Sequence, residues 1–184
     1  MGPAIVIMGV SGSGKTSVAK MLSESLNCCF LEADDFHPKA NREKMSKGIP
    51  LSDEDRIPWL ESLHDAIRRH LITGRTVAIT CSALKRSYRE ILRSADPNYK
   101  TGDCVSCKVK FFCLVAPVER LAERINKRSE VGEHFMPVSL LESQLALLHI
   151  DEDEGIPQID STLSLQAITN NIVSLLKDTE SCKL

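Results

Sequence analysis

Gly9-Val10-Ser11-Gly12-Ser13-Gly14-Lys15-Thr16 matches G-x-x-x-x-G-K-[ST] without a gap. An apolar run, Ala4–Met8, ends just before it. A helical pattern begins inside it, with Val18, Leu22 and Leu26 recurring at helical spacing over about Lys15–Leu26. This strand–loop–helix context separates a phosphate-binding loop from a glycine-rich turn that holds no ligand. Glycines let the backbone wrap closely around phosphate oxygens, while exposed amides and the helix N-terminus supply partial positive charge. In this reading Gly9, Val10, Ser11, Gly12, Ser13 and Gly14 form the cradle. Lys15 reaches the β- and γ-phosphates of a nucleotide, and the Thr16 hydroxyl ligates Mg²⁺.

Outward from the loop, strand-like runs alternate with helical patterns. Cys28–Glu32, Thr76–Thr80, Val109–Val115 and Ile156–Ile159 read as strands two to five. Between them lie a polar helix over about Lys39–Lys47 and another over about Lys85–Ser94. Val118, Leu121, Ala122 and Ile125 mark a helix, as do Leu141, Leu145 and Leu148, and finally Leu165, Ile168, Ile172 and Leu175. A further helix runs to about Leu71. Ser52-Asp53-Glu54-Asp55 has the form of a capping box, but Pro58 belongs in a first turn, so its start stays open between Asp53 and Pro58. The pattern is a doubly wound α/β fold: a five-stranded parallel sheet with helices on both faces, in one domain spanning 1–184. Ser129–Phe135 is polar, contains Gly132, and reads as a mobile short lid within about 125–137. Asp96–Cys107 reads as an exposed loop and Asp151–Gly155 as an acidic turn.

Composition excludes several classes. The chain has 184 residues, 42% hydrophobic and 26% charged, which suits a soluble globular domain rather than a disordered chain. Net charge is −2, so no electrostatic footprint for nucleic acid exists. No apolar run approaches the roughly 18–20 residues that span a bilayer. Seven cysteines and no export signal at the N-terminus point to free thiols in a reducing, cytoplasmic setting. Cys104-Val-Ser-Cys107 lacks the second ligand pair a zinc site wants. The closing Cys182-Lys183-Leu184 resembles the Ser-Lys-Leu peroxisomal address, a minor alternative location.

Two large nucleotide-binding classes fail on specific residues. A GTPase would read guanine with Asn-Lys-x-Asp, but Asn126-Lys127-Arg128-Ser129 carries Ser where the Asp is needed. A large ATPase would place Asp at the end of an apolar strand, and strand three instead ends Ile79-Thr80-Cys81. Strand two ends Glu32-Ala33-Asp34-Asp35, so the acids beside metal and acceptor come from there. In so short a chain this suggests a small-molecule kinase.

Asp34-Asp35-Phe36-His37-Pro38, then Asn41, Lys44-Met45, Gly48, Pro50-Leu51, Asp53, Asp55-Arg56 and Pro58-Trp59-Leu60 resemble the gluconate kinase (gluconokinase) family. Cys81-Ser82-Ala83-Leu84-Lys85 with Tyr88-Arg89 resembles the family's segment after strand three. His134-Phe135-Met136 with Leu141 and Ser143-Gln144 resembles its segment after the lid. The match covers nearly the whole chain. It implies ATP-dependent, Mg²⁺-assisted phosphorylation of D-gluconate to 6-phosphogluconate by a P-loop kinase fold, that of the shikimate and nucleoside monophosphate kinases. It also implies a homodimer.

Candidate roles follow. Asp34, just past strand two, accepts or orients the attacking hydroxyl's proton. By resemblance to shikimate kinase, Glu32 sits near the Mg²⁺ shell, where the family usually has Asp. The competing reading is that both acids only cap the next segment. Arg56 forks onto the substrate carboxylate, helped by Lys85 or His37, unless it forms a surface ion pair with Asp53 or Asp55. His37 hydrogen-bonds sugar hydroxyls or holds structure. Trp59, at helical spacing from Leu63, reads as core. Arg124 and Arg128 share a helix face leading into the lid; Arg128 is the candidate for stabilising the moving phosphate, and Arg124 for the nucleotide side. The chain departs from the family where extra residues put Glu133 between Gly132 and His134, which weakens the substrate role expected of His134. It departs again at His149, where the family often has Glu.

Overall fold

All five residues of β1 (Ala4–Met8) are buried, which demands cover on both faces of the strand. The computed structural model, which describes residues 2–130 and 138–181, supplies that cover. β1 pairs in parallel with β3 (Val77–Thr80) on one side and β4 (Val109–Val115) on the other. β2 (Cys29–Glu32) and β5 (Gln158–Asp160) form the edges, giving the order β2-β3-β1-β4-β5, all parallel.

The pleat then sorts the core. Ala4, Val6, Met8, Val77, Ile79 and Phe111 face α3 (Asp53–Ile72) and α4 (Arg86–Arg93). Ile5, Ile7, Ala78, Phe112 and Leu114 face α1 (Lys15–Ser25) and α7 (Leu165–Ser181). Each fully buried Leu or Ile in these layers contributes roughly 1.5–3 kcal/mol by burial alone. α2 (Lys39–Ser46) is the polar helix expected after Pro38. α5 (Val118–Glu130) and α6 (Ser139–Leu147) meet over a third cluster, where Val10 and Leu84 pack on Leu121, Ile125 and Leu141. That cluster joins the phosphate loop to both helices flanking the segment 131–137.

The open start of α3 is settled at Asp53. The Ser52 hydroxyl accepts from the Asp55 amide, and the Asp55 carboxylate accepts from the Ser52 amide. Pro58 sits inside the second turn. The carbonyl that loses its donor belongs to Glu54, an exposed residue of the first turn, where solvent can stand in for the missing N–H.

The segment Asp96–Cys107 is less open than its composition suggests. Its ends are pinned: the buried Asp96 carboxylate accepts from the amides of Asn98 and Lys108, and Cys107 is buried against β4. Burial pushes the Cys107 thiol up to about 11. The fifth strand starts two residues later than expected, because Pro157 offers only its carbonyl to the sheet, accepting from the Cys113 amide.

Candidate active site

At the carboxyl edge of the sheet, where ligands bind in folds of this kind, one cleft collects most of the expected residues. Its walls include Ser11, Gly12, Gly14, Lys15 and Thr16 from the loop, and Glu32, Asp34 and His37 from the segment after β2. Arg56 and Trp59 of α3, Arg128 of α5 and Gln144 of α6 complete it.

The loop is held open. Gly12 has φ +78°, and a Cβ there would stand 2.7 Å from the Leu121 carbonyl, so only glycine lets α5 approach this closely. Gly14 has φ +93°, and a Cβ on it would meet nothing within 4 Å: the loop encloses free room on that side. The Ser11 and Ser13 hydroxyls are buried without hydrogen-bond partners among the described residues. Lys15 donates to the Val10 carbonyl at 2.9 Å, and burial lowers its pKa, with the Arg128 charge adding to the effect. Orphan hydroxyls, confined cations and free space fit a polyphosphate.

Beside the loop, the Thr16 hydroxyl donates to Glu32 Oε2 at 2.8 Å. The Thr80 hydroxyl donates to Glu32 Oε1 and accepts the Ala33 amide at 3.2 Å. Strand three thus carries no acid at its end but supplies the hydroxyl that orients the acid of strand two. A hydroxyl and a carboxylate side by side, with room for water and phosphate oxygens, is the sparse donor set Mg²⁺ prefers.

Asp34 lies in a short 3₁₀ turn, Ala33–Phe36, that continues β2. Burial raises its pKa and Glu32 adds to the rise, while Lys15 pulls it back. A carboxylate with raised proton affinity suits the acceptance of a hydroxyl proton. His37 stacks on Trp59 with centroids 4.1 Å apart and faces Asn41 Nδ2 at 3.4 Å. Burial, with Arg42 and Arg56 nearby, lowers its pKa to about 4, so near neutral pH it offers hydrogen bonds without charge. The Trp59 indole donates to the Ala33 carbonyl at 2.7 Å, which clamps the 3₁₀ turn to α3. Trp59 is therefore core, as expected, and a floor of the cleft as well.

Arg56 is buried, and its Nη1 donates to the Tyr88 hydroxyl at 3.2 Å. Among the described residues no carboxylate lies within ion-pair distance of it. The surface pair with Asp53 or Asp55 does not form: Asp55 takes Lys44 at 2.7 Å and Asp53 takes Lys85 at 2.8 Å. Lys85 is not brought to the cleft wall. Arg124 also stands outside the wall, donating to the Gly12 carbonyl and to Ser161 behind the loop. His134, Glu133 and most of the expected lid lie outside the described residues.

Two residues were quoted from the sequence without a role. Gln144 Oε1 accepts the Ser11 amide at 2.7 Å, tying α6 to the phosphate loop. Tyr88 touches Arg56 and Asp53. Their only sequence signal was membership of the resembling segments.

Comparisons with known proteins bear on the family and the fold. A family model described as an AAA domain matches residues 5–149. A gluconokinase of Arabidopsis thaliana is 51% identical over 175 residues, covering 95% of this chain and 93% of that protein. The chain belongs to the gluconokinase family. The crystal structure of a gluconokinase from Sinorhizobium meliloti 1021 superposes with a TM-score of 0.81 at 37% identity, covering 98% of this chain and 95% of that one. Beyond the family, shikimate kinase from Acinetobacter baumannii, solved with shikimate, shares the fold alone, with a TM-score of 0.56 at 17% identity over 97% of this chain and 94% of that one. The five-stranded parallel P-loop kinase fold and the small-molecule kinase class read from the sequence both stand.

Proposed function

We propose that this chain is a gluconate kinase, transferring a phosphoryl group from ATP to D-gluconate to give 6-phosphogluconate. The observation that carries the choice of acceptor is Arg56. A buried guanidinium with no carboxylate partner among the described residues is costly unless a ligand completes it. Gluconate bears a carboxylate at the end opposite its reacting hydroxyl, and Arg56 and Asp34 line the same cleft. His37, neutral, hydrogen-bonds the hydroxyls between.

Bound ATP supplies the phosphoryl group, and Mg²⁺ supplies charge neutralisation. The residues Gly9–Thr16 hold the phosphates, Thr16 and Glu32 hold the metal, and Arg124 stands at the nucleotide side. Asp34 accepts the proton of the attacking hydroxyl. Lys15 and Arg128 face the charge that develops on the transferred group. Catalysis on this reading is mostly positioning and electrostatics.

The test is ADP release with Mg-ATP, with and without D-gluconate, beside shikimate and related sugar acids. Gluconate-dependent release, lowered at least about a hundredfold in Lys15→Ala, is the expected result. Release that answers another acid better than gluconate, or none at all with ATP bound, overturns the assignment.

A further inference from the structure

Asp53 and Arg56 stand three residues apart in the first turns of α3, the spacing at which a carboxylate and a guanidinium ordinarily pair. Here they do not. The Asp53 carboxylate accepts two bonds from Lys85 Nζ, at 2.8 and 2.9 Å, and one from the Tyr88 hydroxyl. That same hydroxyl accepts from Arg56 Nη1 at 3.2 Å. Both cations lie over the Tyr88 ring, Lys85 at 5.4 Å and Arg56 at 5.6 Å from its centroid. The chain of groups runs inward from solvent: the Asp53 and Lys85 side chains are 54% and 34% exposed, whereas Tyr88 is 3% and Arg56 9% exposed. Lys85 first, then Tyr88, holds Asp53 below the usual carboxylate range.

We propose that Lys85 and Tyr88 are positioning residues that divert Asp53 from Arg56, so that the guanidinium stays open to the carboxylate of the sugar acid. This rests on the reading of Arg56 given above. An acid three residues away on the same helix is present at high effective concentration and competes with any free carboxylate. Lys85 neutralises that competitor from the solvent side. The Tyr88 phenol fills the gap, donating outward and accepting from Arg56. Lys85 therefore serves substrate recognition without touching substrate, which accounts for its absence from the cleft wall.

The experiment is steady-state kinetics on Lys85→Gln, Tyr88→Phe, the pair Lys85→Gln with Asp53→Asn, and Arg56→Met, each checked by thermal melting. Lys85→Gln is expected to raise KM for gluconate about tenfold with kcat within about threefold of the parent, because a freed Asp53 then occupies Arg56. Adding Asp53→Asn is expected to return KM to within about twofold of the parent, since the amide no longer competes. Tyr88→Phe raises KM in the same way. A double variant as impaired as Lys85→Gln overturns the proposal, because Lys85 would then contact the substrate itself. An unchanged KM in Lys85→Gln overturns it as well. Arg56→Met separates the two layers: if that variant keeps the parent KM, the carboxylate role of Arg56 fails, whereas a raised KM in it without rescue by Asp53→Asn defeats the diversion alone.

Discussion

Arg56 and Arg89 are both buried, both helical, and used in opposite ways. Arg89 of α4 is fully enclosed, and its guanidinium is saturated: Nε and Nη2 reach Glu154, Nη1 reaches the Ala83 and Leu84 carbonyls at 2.7 and 3.2 Å, and Nη2 reaches the His149 carbonyl at 2.7 Å. Arg93 adds a second cation to Glu154 at 2.8 Å. This network fixes the turn after β3, where Ala83 adopts φ +45°, and ties it to the end of α6 and the approach to β5. Among the described residues, Arg56 has one neutral hydroxyl partner, and it lines an open cleft. Burial of charge alone therefore does not mark a site. What marks it is burial with donors left over.

The largest effect expected from breaking the contrast is at Arg89. Arg89→Met leaves Glu154 with Arg93 as its remaining cation and takes the guanidinium donor from the buried Ala83 and His149 carbonyls, and should cost about 3–5 kcal/mol of stability, read by chemical denaturation. If gluconate kinetics collapse while stability holds, Arg89 belongs to the site rather than the scaffold.

Arg56→Met is the counterpart. It removes a charge that the folded chain leaves incompletely matched, so stability should change by less than about 1 kcal/mol. Its kcat/KM for gluconate should fall roughly a hundredfold, about 3 kcal/mol, mainly through KM. A large loss of melting temperature with unchanged KM would erase the distinction between the two arginines.

Sequence alone separated these residues only partly. The loop Gly9–Thr16, the five strands and the acids after β2 were legible because each is set by local pattern: a motif in register with a strand, and apolar periods of two and 3.6. The helix start at Ser52 was visible as a capping box yet left open, because a proline's cost depends on whether its stranded carbonyl meets water, and exposure is a tertiary property. Lys85 was placed on the substrate because it stands in the same stretch as Cys81-Ser82. In the fold it donates to Asp53, 32 residues away, a contact made only when α3 packs on α4. Arg89 carried no role for the same reason: Glu154 is 65 residues distant.

The smallest effect concerns acid, and it resolves the two regions by pH. His37, on the cleft side, has its folded pKa lowered to about 4 by burial and by Arg42 and Arg56, against 6.5 for the free side chain. Between these values the unfolded chain binds a proton that the folded chain refuses, so stability present above pH 6.5 drains away as pH falls toward 4. Glu154, in the scaffold, would be raised by burial, but Arg89 and Arg93 hold it down to about 2, against 4.5 unfolded. Its contribution is complete above pH 4.5 and is lost only as pH falls toward 2. Asp34, raised by burial, works against His37, since acid relieves the cost of its charge. Denaturation midpoints of the parent and of His37→Gln, measured from pH 7 to pH 4.5, isolate the first window: the parent should lose about 1–2 kcal/mol relative to the variant by pH 5. Parallel curves would mean that His37 takes up its proton in the folded cleft as readily as in the unfolded chain, so that it would become a second cation beside Arg56 below about pH 6.5 rather than stay a neutral partner for hydroxyls.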